Sequence, residues 1–65
     1  MFEQINTKLW IYRGKHIAGF IVKQDKDSYT LCLSSMQATE GFLAYIEESL
    51  TAAQELAVSR DKRDF

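Results

Sequence analysis

Seven apolar residues recur at helical spacing in the second half of this chain. At about 100° per residue, Phe42, Tyr45, Ile46, Leu50, Ala53, Leu56 and Ala57 fall in one arc. Glu47, Glu48, Thr51, Gln54, Glu55 and Ser59 fall in the opposite arc, and Val58 alone sits on the wrong side. The spacing predicts one amphipathic helix over 39–60, capped by Thr39 with Glu40 favourable at the positive end of its dipole. A rival segmentation makes 42–46 a strand and starts the helix at Ser49 or Thr51. The single helix is preferred because Leu43, Ile46, Leu50, Ala53 and Ala57 continue one pattern that strand alternation does not explain. The run 61–65 carries no stop signal and is expected to fray. A helix with one apolar stripe must lay it on something, and three apolar runs upstream are the only candidates.

Those runs read as strands. Thr7 to Arg13 carries Leu9-Trp10-Ile11-Tyr12, His16 to Lys23 carries Ile17, Ala18, Phe20, Ile21 and Val22, and Ser28 to Ser34 carries Tyr29, Leu31, Cys32 and Leu33. Gly14-Lys15 suits a two-residue type II′ hairpin, and Gln24-Asp25-Lys26-Asp27 is a polar turn. The expected fold is α+β, a three-stranded antiparallel meander (7–13, 16–23, 28–34) followed by one long C-terminal helix on one face, in the order βββα. Sixty-five residues make a single domain, 1–65, too small for a second core.

Turn length decides which side chains share a face. A two-residue first turn pairs Arg13 with His16, and the second turn then pairs Lys23 with Ser28. One face collects Leu9, Ile11, Ala18, Phe20, Val22, Tyr29, Leu31 and Leu33, the expected seat of the helix. The other presents Lys8, Trp10, Tyr12, Ile17, Gly19, Ile21, Lys23, Thr30 and Cys32. An odd-length loop in either place would swap these faces. Trp10, Tyr12, Ile17 and Ile21 are too many large apolar groups for open water. Partial cover by Phe2 and Ile5 is one explanation and a partner surface the other, the simplest partner being a second copy of the chain.

Composition narrows the function classes. One cysteine rules out an intrachain disulfide, and one cysteine with one histidine does not build a structural zinc site. No basic segment followed by an apolar one opens the chain, and the lone thiol favours the cytoplasm. Apolar runs of at most six residues are far short of a membrane span. Net charge is −1, with the basic residues biased to the front half and the acids to the helix.

No catalytic constellation stands out. Cys32 and His16 are expected on opposite faces, Glu47 and Glu48 on a solvated helix face, and neither Gly14 nor Gly19 belongs to a phosphate loop; Gly19 permits close approach of another chain or a ligand. No catalytic, metal or cofactor site is assigned. Trp10 and Tyr12 flanked by Lys8, Arg13, Lys15 and Lys23 offer the aromatic platforms and charge of a nucleic-acid surface. The order of three strands then a helix resembles in layout the AP2 and integrase arm-binding domains, which implies DNA reading by the sheet. Against it, Ile17 and Ile21 would lie where phosphate-binding charges are wanted. A nucleotide-sequestering pocket at a dimer interface, with Arg13 on the phosphate, is a third reading.

The favoured expectation is a small non-enzymatic, cytoplasmic, homodimeric protein that acts stoichiometrically by protein–protein contact through the non-helix face. By association only, such chains recur among the regulators and inhibitors of phages and mobile elements. Trp10, Tyr12, Ile17 and Ile21 would anchor the partner, while Arg13, Lys15 and Lys23 would orient it.

Overall fold

A computed structural model of the chain describes residues 1–35 and 43–63. Five strands, β1 (Phe2–Asn6), β2 (Leu9–Arg13), β3 (Ile17–Asp25), β4 (Ser28–Ser35) and β5 (Leu43–Glu47), precede one helix, α1 (Leu50–Arg63). The strands form one open antiparallel sheet in sequence order, β1-β2-β3-β4-β5. The α+β class and the C-terminal helix are as expected. The three-stranded meander is corrected to five strands.

The two added strands come from opposite ends of the chain. Phe2–Asn6 pairs along β2, with Phe2 opposite Tyr12 and an irregularity between Gln4 and Asn6. Its weak alternation, with one half-buried residue followed by four exposed ones, gave no strand signal in the sequence. Residues 43–47 were expected inside the helix but pair with β4 in unbroken register from Tyr29↔Glu47 to Leu33↔Leu43. Pairing satisfies the backbone of β4, which would otherwise stand open along its length. The helix is therefore shorter and later than the expected 39–60. Thr39 and Glu40, the expected cap and first-turn acid, lie outside the described residues. Ser49 caps the observed helix: its Oγ accepts from Ala52 N at 3.1 Å and its carbonyl from Ala53 N at 3.1 Å. At the other end α1 continues through the buried Asp61 to Arg63, where fraying was expected, and 64–65 lie outside the described residues.

The registers explain which face the helix took. In the first hairpin Arg13 pairs with Ala18 rather than with His16, a shift of two that leaves the face sets of β2 and β3 unchanged. Gly14 is not the corner of a type II′ turn, since its φ is not positive. In the second hairpin an irregularity between Lys23 and Asp25 puts Lys23 opposite Tyr29 instead of Ser28. That single-residue slip turns β4 over. Tyr29, Leu31 and Leu33 leave the company of Phe20 and join that of Ile21 and Gly19.

The face with Leu31 and Leu33 is the one that receives α1. Trp10, Tyr12, Ile17, Ile21, Leu31, Leu33, Ala53 and Ala57 form one buried cluster, with Phe2, Tyr29, Tyr45, Leu50 and Leu56 packed against it. A tryptophan, a tyrosine, two isoleucines and two leucines remove more apolar area from water than Leu9, Ile11, Ala18, Phe20 and Val22 could. Ala53, Ala57 and Asp61, four residues apart, form the inward row of the helix, and the two alanines let it lie close on the sheet. Aromatic contacts run across this layer, Phe2 on Tyr12 at 4.7 Å and Trp10 near Tyr29 at 6.1 Å between centroids.

Gly19 lies in the same layer and the approach it permits is internal. A Cβ there would run into the Cys32 carbonyl oxygen and lie 2.9 Å from Leu33 Cδ2. A backbone oxygen cannot step aside without parting β3 from β4. Gly19→Ala should lower stability by about 1–3 kcal/mol, the range for overpacking a filled core. Urea unfolding followed by tryptophan fluorescence measures it, and an unchanged midpoint would refute this packing.

Candidate functional site

Two features stand out, a buried carboxylate latch under the end of the helix and an apolar face on the far side of the sheet. The latch is Asp61, 9% exposed. Its Oδ2 accepts the Tyr12 hydroxyl at 2.8 Å and the Lys15 N–H at 2.9 Å; its Oδ1 accepts the His16 N–H at 2.8 Å and the Ile17 N–H at 3.2 Å. The β2–β3 connection wraps its amides around the carboxylate, and Gly14 N donates to Ile17 O at 2.9 Å to close the loop. Gly14 has no room for a side chain, since a Cβ would meet Asp61 Oδ2, Ile17 O and the Tyr12 ring.

Burial pushes the Asp61 carboxyl up, but the amides of Lys15 and His16, the Tyr12 hydroxyl and the Ile17 amide outweigh it and hold the pKa down at about 2, from an ordinary 3.8. Burial, then the hydrogen bond and charge of Asp61, push the Tyr12 phenol up from 10.0 to about 12. Four donors occupy the lone-pair positions of the two oxygens, leaving Asp61 little capacity to ligate a metal or accept a substrate proton. Its chemistry is that of a fastener between helix and hairpin. The sequence signal for it was its place four residues after Ala57, on the inward row. Among the described residues, no three His, Cys, Asp or Glu side chains are grouped to hold a metal ion.

The partner residues expected from the sequence are divided by this fold. Trp10, Tyr12, Ile17 and Ile21 do come together, but beneath α1: they are 8%, 3%, 2% and 0% exposed. Their assignment to the open face is corrected, because the helix sits on them rather than on Leu9, Ile11 and Phe20. Arg13 is exposed at the end of β2, with Nη1 4.0 Å from Glu3 Oε1. Lys15 is exposed in the adjoining loop. Lys23 lies at the opposite end of that hairpin, its amide donating to Lys8 O and its Nζ 5.9 Å from the centre of the Tyr29 ring. The three cations therefore form no common patch. With Trp10 and Tyr12 packed away, a stacking surface for a base has to come from other residues.

The open side of the sheet carries Leu9, Ile11, Ala18, Phe20, Val22, Thr30, Cys32, Ser34, Ala44 and Ile46, with Arg13 and Glu3 at its margin, by alternation from the register. Leu9, Ile11, Ala18, Gly19, Phe20 and Ser34 line a shallow, largely apolar depression in it. Ile46 is 73% exposed. Cys32 stands in this face and His16 in the loop around Asp61, so the two do not face one another. Phe2 gives this face no cover, since it packs on Tyr12, and Ile5 is 48% exposed on the edge strand. Among the described residues no helix is long and apolar enough to cross a membrane.

Compared with protein-family models, with curated proteins and with solved structures, the chain matches none.

Proposed function

We propose that this chain is a small non-enzymatic, cytoplasmic binding protein that works by occupying a surface of another protein with the open face of its sheet. One observation carries the reading. Leu9, Ile11, Ala18, Val22, Cys32 and Ile46 stand together on a face whose strand charges are Arg13 and Glu3 at one margin, 4.0 Å from each other, while the chain's one described helix lies on the other side. Contiguous apolar surface of this kind is characteristic of protein contacts. A single arginine at the margin, Arg13, already beside Glu3, favours a protein partner over nucleic acid, since most phosphate affinity comes from Lys and Arg. Stoichiometric regulation or inhibition, as in accessory proteins of phages and mobile elements, suits a domain whose buried carboxylate is fully committed to structure.

The test compares two lysine variants. Val22→Lys puts a charge in the middle of the open face, and Glu55→Lys changes charge on the exposed side of α1. Partner recovered from the native host and identified by mass spectrometry should bind wild type and Glu55→Lys alike and bind Val22→Lys at least tenfold more weakly. Amide shifts in the labelled chain should gather on β2 and β3. Binding that survives Val22→Lys and fails with Glu55→Lys would move the interface to the helix and overturn the reading.

A further inference from the structure

The two edges of this sheet are built differently. β1 carries Glu3 and Gln4 and breaks register between Gln4 and Asn6, the devices by which an edge strand discourages pairing. β5 has no such break, and its one charge, Glu47, stands at its end. Its sequence is Leu-Ala-Tyr-Ile-Glu, it pairs with β4 without a break, and Leu43 and Ile46 are 54% and 73% exposed. It ends the sheet, so among the described residues nothing pairs with its outer side.

We propose that the outer edge of β5 pairs antiparallel with β5 of a second copy, centred on Tyr45, to make one ten-stranded sheet. The strand complements itself in that register. Ala44 falls opposite Ile46 of the second copy, small beside large, and Leu43 opposite its Glu47, so no like charges meet. Tyr45 faces its own copy. Arg60, whose Nη2 donates to Tyr45 Oη at 2.8 Å and whose guanidinium lies 5.6 Å from that ring's centre, comes within reach of Glu47 of the second copy. The helix lies over β4 and β5 more than over β3. The two-fold axis stands normal to the sheet, so the open apolar faces join on one side. This pairing does not rest on the docking role proposed above, and it leaves that face free.

Light scattering from about 10 µM to 1 mM, with isotope-filtered nuclear Overhauser measurements on a mixed labelled sample, tests it. Wild type should approach twice the chain mass and show contacts between Ala44 of one copy and Ile46 of the other. The double variant Ala44→Lys/Ile46→Lys sets lysines directly opposite one another and should return the mass to one chain, while Val22→Lys stays paired. Wild type at one chain mass up to 1 mM overturns the proposal. So does a dimer that survives the double variant and falls apart with Val22→Lys, which would place the two copies face to face. Should the double variant fail to fold by circular dichroism, the filtered contacts in wild type decide, and their absence is a refutation.

Discussion

An Asp61→Ala chain should be largely unfolded at 25 °C. The substitution removes the acceptor that the Tyr12 hydroxyl and the amides of Lys15, His16 and Ile17 share under the end of α1. A hydrogen bond to a charged group contributes about 1.5–3 kcal/mol, and unsatisfied buried donors make the loss worse. The bonds share one carboxylate and do not add, so about 3 kcal/mol or more is the expected total. A single core of this size supplies only about 3–5 kcal/mol. Circular dichroism and a urea titration measure the result. Tyr12→Phe, which removes one of the four donors, should stay folded with a lowered midpoint. A cooperative Asp61→Ala transition at the wild-type midpoint would show that the latch contributes nothing.

The same contact sets the pH limits of the fold. The Asp61 pKa is depressed in the folded chain, so its contribution is present above the unfolded value of 3.8 and is lost as pH falls towards about 2. Tyr12 is shifted the other way. Its contribution is present below 10.0 and is lost as pH rises towards about 12. Stability should therefore hold across neutral pH and fall on both sides. Tyr12→Phe should flatten the alkaline limb and leave the acid limb standing, which a set of urea midpoints from pH 2 to 12 would show.

How far the sequence could be read follows from the same residues. Alternation correctly grouped Trp10, Tyr12 and Ile21 on one side of the first hairpin and Leu9, Ile11, Phe20 and Val22 on the other. It also correctly found grease on both sides of a sheet that owns one helix. What it missed was the irregularity at Lys23–Asp25. An extra residue in a polar turn carries no hydrophobic signal, yet it turned over Tyr29, Leu31 and Leu33 and with them the seat of the helix. Residues 43–47 defeated the periodicity argument for a related reason: Leu43, Ile46 and Leu50 fit a helical stripe, while pairing with β4, a contact distant in sequence, made them a strand. Asp61 was misjudged because a charged residue near a chain end reads as solvated until its amide partners, over 40 residues away, are known.

Ile21 and Val22 are neighbours of nearly equal hydrophobicity, and lysine at the two positions should give opposite results. Ile21 is 0% exposed, opposite Trp10 on one side and Leu31 on the other, with α1 above it. A lysine there buries an ammonium with no partner, and the available escape is loss of the helix–sheet packing. Ile21→Lys should therefore give no cooperative transition at neutral pH. Val22, opposite Leu9 and Thr30, points to the side without the helix, where a lysine stem can lie along Leu9 and carry its charge to water. Val22→Lys should change stability by less than about 1 kcal/mol, because surface substitutions away from buried features have small effects. Thermal melts of the two variants distinguish the faces without knowledge of any partner. If Val22→Lys unfolds and Ile21→Lys does not, the helix sits on Leu9 and Phe20, and the apolar face proposed for docking is the core.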